Sequence, residues 1–211
     1  MKFSVVIIKK FNIFFILFFI FAFATILIDN GFLEKVYSQS IIESTKSNIP
    51  DDLNFSGLDF TEADLSYSNL ENSKMYGTIF EGADLSYSNL RNAELAGAYL
   101  RNANLEGADL SNANLRNAYV YKTNLLNANL NGADLSKSNF CGAYLYGKSL
   151  INTDFSGSDL SFTNLAYVNF EGSKLTGSNM RGSNLHQINL SGMDLTKTNF
   201  MKANLKGANL G

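Results

Sequence analysis

From residue 53 to residue 210 an apolar side chain recurs at every fifth position. No other feature of this 211-residue chain limits its folding as strongly. Call that apolar residue i. It falls on Phe55, Phe60, Leu65, Leu70, Met75 and onward to Leu210, thirty-two positions with no insertion or deletion. Twenty-two are Leu and seven are Phe, with Met75, Val120 and Met180 completing the set. Position i−2 is Ala, Ser or Thr in twenty-six repeats, and i−1 is Asn or Asp in twenty-four. Position i+2 holds fourteen of the sixteen glycines. A helix has a period of about 3.6 and a strand about 2, so neither explains the pattern. One large and one small side chain in five residues fit a short extended piece followed by a turn. Gly or Asn at i+2 supplies the positive φ such a turn requires. Residues i and i−2 are expected to point inward, and i−1, i+1 and i+2 to face water.

Motifs such as Ala83-Asp84-Leu85-Ser86, Ala103-Asn104-Leu105-Glu106-Gly107 and Ala133-Asp134-Leu135 resemble those of the pentapeptide-repeat family. The resemblance covers residues 53–210, about three quarters of the chain. It implies an all-β fold, a right-handed quadrilateral parallel β-helix with four pentapeptides per coil. This chain would then form about eight coils, stacked at about 4.8 Å into a rod roughly 38 Å long.

Residues twenty apart should stack in such a coil. The third face then reads Leu65, Leu85, Leu105, Leu125, Leu145, Leu165, Leu185 and Leu205, all leucine. The fourth is leucine except for Phe170, and the second is mixed and aromatic. A charge in an interior column is costly. Lys148 is the one charged residue at i−2, and a local bulge that lets it reach water is expected there.

Outward columns stack by twenty as well. They place Lys74 beside Glu94, Glu81 beside Arg101 and Glu71 beside Arg91, with Asp154, Lys174 and Asp194 alternating. Exposed pairs contribute about 0–1 kcal/mol each, so they set register and solubility. The candidate interaction surface is aromatic. Ile79, Tyr99 and Tyr119 form one outward ladder with Tyr121 two residues along. Around the third face Tyr67 stacks with Tyr87, with Tyr144, Tyr146 and Tyr167 farther up. Exposed tyrosines are enriched at interfaces. They also shield sheet edges by stacking on one another.

The first fifty residues differ from the rest. Lys2, Lys9 and Lys10 precede or flank an apolar run over 11–28. A bilayer needs about 20 apolar residues as a helix, and a cleaved secretory signal uses about 7–15. The run favours an uncleaved N-terminal hydrophobic helix. Ala22/Ala24 and Val36/Ser38 are weak cleavage sites. The lysines favour an N-in, C-out orientation. Residues 1–28 are therefore expected to be a signal-anchor or signal peptide, 29–52 a linker with a small N-terminal cap, and 53–211 the solenoid.

Chemistry-bearing residues are scarce. Cys141 and His186 are the only Cys and His, so an internal disulfide, a Cys- or His-rich metal site and a His-based catalytic set are disfavoured. No phosphate loop, HExxH or GxSxG motif occurs. The expectation is a non-enzyme without metal or cofactor. Its partner is an unidentified protein rather than nucleic acid, and its place is outside the cytoplasm: membrane-anchored, or periplasmic or thylakoid-lumenal if cleaved. The resemblance adds a homodimer through the last coil, which a bare edge would favour. It also adds an alternative, a cytoplasmic DNA mimic that protects topoisomerase. Such a mimic needs a strongly acidic face. Residues 53–211 carry twelve Lys and Arg against fourteen Asp and Glu, which does not supply one.

Overall fold

The computed structural model describes residues 54–211 apart from Gly147. The expected N-terminal helix over 1–28 and the linker and cap over 29–52 lie outside the described residues. Among the described residues, no helix is long and apolar enough to cross a membrane.

Nearly every described pentapeptide contributes one bridging residue, at i−1, and one turn; Asp194 makes no bridge. The bridges are parallel and join residues twenty apart, as in Asp64–Asp84–Asn104–Asn124 and Asp134–Asp154–Lys174. Twenty residues contain four turns, so each coil has four sides, and the repeat region is a parallel β-helix solenoid. Its faces are centred on Phe55, Phe60, Leu65 and Leu70 in the first coil and recur every twenty residues.

The interior follows the repeat. All twenty-eight i residues from Phe55 to Leu190 are buried. Fully burying a Leu or Phe stabilises by about 1.5–3 kcal/mol. Aromatic pairs add geometry: Phe60 stacks on Phe80 with centroids 5.6 Å apart, and Phe155 meets Phe140 and Phe170 edge-on at 5.8 Å each. Burial falls in the last repeats, where Leu210 is 51% exposed. Small i−2 side chains let the coil close. Where they carry hydroxyls, most are satisfied locally, as when Ser88 Oγ donates to Leu85 O at 2.7 Å and Thr123 Oγ1 to Leu100 O at 2.6 Å.

The corners explain the other two columns. In nearly every described turn the N–H of i+3 donates to the carbonyl of i, as Ser88 does to Leu85 at 3.3 Å, whereas Thr153 N donates to Ser173 Oγ instead. Every described i+2 residue from Gly57 to Gly207 has positive φ. Seventeen of these are not glycine and only seven of the seventeen are asparagine, so ten corners hold a side chain in a backbone region it disfavours. The i−1 carboxylates and amides clamp the same turns, since Asp84 Oδ1 accepts from Ser86 N at 3.0 Å. They also link coils. Asn104 Nδ2 donates to Asp84 Oδ1 at 3.1 Å, and Asn124 Nδ2 to Asn104 Oδ1 at 2.9 Å. The outward column is thus a side-chain ladder as well as a wet surface.

Two expectations about the outside are corrected. Position i+1 is not uniformly exposed: Ser86, Ser136, Ser161 and Ala166 are buried at corners where neighbouring coils fold over them. The charge columns close only in part. Glu71 and Arg91 approach to 3.9 Å and Asp154 and Lys174 to 3.1 Å. Asp194 turns instead to Thr176 Oγ1 at 3.2 Å, and Glu94 accepts from Asn114 Nδ2 at 2.7 Å. Arg101 lies over the Tyr121 ring rather than against Glu81.

Candidate functional site

The corner that follows the third face collects exposed aromatics along one edge of the solenoid. At its lower end the rings of Tyr67 and Tyr87 stack with centroids 5.1 Å apart and planes 11° from parallel. Both residues occupy i+2, with φ of 58° and 56°. Tyr67 is 71% exposed. The Tyr87 ring extends over Gly107 in the next coil, where no side chain obstructs it. Its hydroxyl lies 3.5 Å from Glu106 Oε1. The Glu106 charge, then partial burial and Tyr67, raise the Tyr87 phenol above its ordinary value.

Higher up the same corner, Tyr144, Tyr146, Tyr167 and His186 form a continuous chain of rings. Tyr144 and Tyr146 lie 6.2 Å apart, Tyr146 and Tyr167 meet edge-on at 5.6 Å, and Tyr167 meets His186 edge-on at 5.5 Å. Tyr144, Tyr146 and Tyr167 are all exposed. The structure therefore brings together the third-face tyrosines named from sequence, as two clusters on one edge.

The other group is looser. Tyr99 and Tyr119 stack at 4.8 Å and 5°, and parallel bridges join Ile79 to Tyr99 and Tyr99 to Tyr119. Ile79 is only partly exposed. Tyr121 turns away from this ladder and sits between two cations, with Arg101 Cζ 6.0 Å and Lys122 Nζ 5.2 Å from its ring centre.

Between the two third-face clusters the coils part. Bridges run from Asp109 to Asn129 and from Ser149 to Asn169, but among the described residues none joins Asn129 to Ser149 or Asn124 to Tyr144. Lys148 lies in this gap. Ala128 below it and Val168 above it fill the interior column with apolar atoms. The lysine side chain cannot do so and turns into the seam, where Nζ donates to Ala128 O at 3.1 Å. In the adjoining coils the corresponding carbonyls accept from backbone N–H groups, as Ala108 O does from Asn129 and Lys148 O from Asn169. Next to the gap, Asn131 Oδ1 accepts from Ile151 N at 3.0 Å. The expected local bulge is present, but the expected exposure is not: Lys148 is 9% exposed. Burial lowers its pKa to about 8. The seam opens to the surface as a pocket of about 290 Å³ whose walls include Leu126, Asn127, Asn131, Tyr146, Lys148 and Ser149.

Sequence reasoning passes over four further side chains, Leu126 and His186 on the third face and Tyr76 and Phe162 on the first and second. Leu126 and Phe162 are 42% and 64% exposed, Tyr76 is also exposed, and His186 caps the upper ring chain. Their signal lies in the columns, since an aromatic or Leu at i+1 or i+2 departs from the Gly, Asn and Ser that dominate there. Cys141 is a free, partly exposed thiol. Among the described residues no group of three or more His, Cys, Asp or Glu is placed to hold a metal ion.

Residues 52–82 and 78–117 match the family described as pentapeptide repeats, and residues 123–200 match a pentapeptide repeat region. Solved structures with similarity include HetL, a pentapeptide repeat protein involved in heterocyst differentiation regulation in the cyanobacterium Nostoc sp. strain PCC 7120. It is 22% identical, with 82% of this chain and 92% of that chain covered and a TM-score of 0.48. QnrB1, a plasmid-mediated fluoroquinolone resistance protein, is 18% identical over 72% of this chain and 86% of that chain, with a TM-score of 0.37. A pentapeptide repeat protein of the Arabidopsis thaliana thylakoid lumen is 23% identical over 66% of this chain and 70% of that chain, with a TM-score of 0.21. No curated protein matches the chain.

Proposed function

We propose that this chain, which belongs to the pentapeptide-repeat family, is a non-enzymatic scaffold that presents its third-face aromatic corner to a protein partner outside the cytoplasm. The observation that carries this reading is the run of rings on one edge, Tyr67–Tyr87 below and Tyr144–Tyr146–Tyr167–His186 above, of which the five tyrosines are exposed and His186 partly so. A solenoid of stacked coils gives these rings a fixed spacing, and rigid aromatic surface binds at small cost in conformational entropy. The placement rests on Lys2, Lys9 and Lys10 and the apolar run over 11–28, which together favour an N-terminal anchor with the repeats on the far side.

The same reading allows two copies to pair through the last coil, where Phe200 and Leu205 are incompletely covered and Leu210 is exposed. Sedimentation equilibrium of the full chain and of Leu210→Glu distinguishes a dimer from a monomer. The DNA-mimic alternative draws no support from charge, because the repeat region is nearly balanced.

Placement is tested with a C-terminally tagged full-length chain in a bacterial host, by fractionation and protease access from each side of the membrane. Tag across the membrane at full length supports the anchored form, and a shortened soluble exported product supports the cleaved form. Tag in the cytosol contradicts the placement.

A further inference from the structure

Lys148 breaks the rule that governs the rest of the interior. Every other described i−2 residue is apolar or carries a small hydroxyl, whereas this one brings an amine into the seam between two coils. The bridges around it are parted. The seam there opens as a pocket of about 290 Å³, near the lower end of the range for small-ligand pockets. Among the described residues its wall contains no Asp or Glu, and the other titratable side chain on it is Tyr146. Within the described residues the amine has one hydrogen bond, to Ala128 O, against the three donors of an ammonium. No acidic group in that wall neutralises a charge there, and burial makes the charged amine less favourable than it is in water.

The remaining walls suit a small polar molecule. Asn131 commits its Oδ1 to Ile151 N at 3.0 Å and lies 3.5 Å from Ser149 Oγ, which leaves its amide N–H groups as donors. Asn127 adds a second carboxamide, while Leu126 and the Tyr146 ring supply apolar cover.

We propose that this pocket captures a small carbonyl compound, an α-oxo acid or a short aldehyde, as an imine on Lys148 Nζ. The neutral amine's lone pair attacks the carbonyl carbon. The resulting carbinolamine expels the former carbonyl oxygen as water, which carries away both amine protons, and the C–O bonds are replaced by C=N. No electrons are gained or lost overall, and water reverses the step. The Asn131 amide N–H is the donor this wall offers to the carboxylate of an α-oxo acid. The lowered pKa fits this chemistry: at pH 7.5 an amine titrating near 8 is about one quarter neutral, roughly two hundred times the fraction for an ordinary lysine.

The test uses the full chain in mild detergent, with glyoxylate or propanal as probe and cyanoborohydride to trap the imine. Peptide mass spectrometry then compares Lys148 with the exposed Lys122, Lys137, Lys197 and Lys202. The expected result is labelling of Lys148 at least about ten-fold faster at pH 7.5, half-maximal near pH 8 and saturating with probe. K148R, which keeps a charge but forms no imine, should lose the adduct while its circular dichroism is unchanged. Preference for glyoxylate, weakened several-fold by Asn131→Asp, assigns α-oxo acids; preference for propanal assigns aldehydes. Labelling of Lys148 no faster than the exposed lysines, or a rate that rises linearly with probe without saturation, would overturn the site.

Discussion

The Tyr87 ring lies across Gly107 so closely that a Cβ on that glycine would sit 2.6 Å from two ring carbons. Gly107 therefore serves two ends, a φ of +66° and a seat for an aromatic ring. Gly107→Ala should destabilise by about 1–2 kcal/mol through the backbone alone, with a further loss as the ring swings off its stack with Tyr67. Gly77→Ala has a similar φ and no neighbour within 4 Å, so it should show only the first part. Urea denaturation of both variants measures the difference. Equal costs would mean that the ring moves freely.

Interior leucines should tolerate no charge. Leu105 is fully buried at mid-rod, with coils above and below. Leu105→Asp should cost several kcal/mol, of the order of 3–5. A near-neutral effect on the denaturation midpoint would contradict the inward placement of i.

Lys148 should trade stability for its pocket. Its folded pKa, about 8, lies below the ordinary 10.5, so the unfolded chain binds more protons between those values. Stability should rise as pH increases from about 8 to about 10.5, the cost of the buried charge being fully felt below that window. Lys148→Met should be more stable than the parent by about 1–3 kcal/mol at pH 7 and should lose this slope. Denaturation of both proteins across that pH range checks the sign, and parallel profiles would contradict it.

Left-handed corners should be improvable. Lys197 is held at φ 60° without glycine's freedom or asparagine's tolerance. Lys197→Asn should raise stability by up to about 1 kcal/mol, read as a higher thermal midpoint. A lower midpoint would show that the lysine stem covers apolar surface that asparagine cannot.

Much of this architecture can be read from the period of five, because one residue type per column leaves one way to coil. Phe55 to Leu190 are buried as their column requires. The Tyr67–Tyr87 and Tyr99–Tyr119 stacks follow from a separation of twenty. What the period does not specify is side-chain direction at corners. Tyr121 shares a coil with Tyr119 but turns to Arg101 and Lys122, and Asp194 prefers nearby hydroxyls to Lys174. Lys148 is conspicuous in the sequence as a charge at i−2. That it lies in an open seam beside Leu126 and Tyr146, rather than extending to water, goes with the bond to Ala128 O, which no column statistic contains.

The most direct test of the scaffold reading is site-specific photo-crosslinking in cells. A photoreactive phenylalanine analogue replaces Tyr167 in the full-length chain, and in a parallel experiment replaces Asn92 on a different corner. The account predicts one discrete crosslinked species from position 167, lost when Tyr144 and Tyr146 are both changed to Ser, and none from position 92. Equal crosslinking from both positions, or none from 167 in the compartment where the chain resides, would contradict the claim that the aromatic corner is the binding surface.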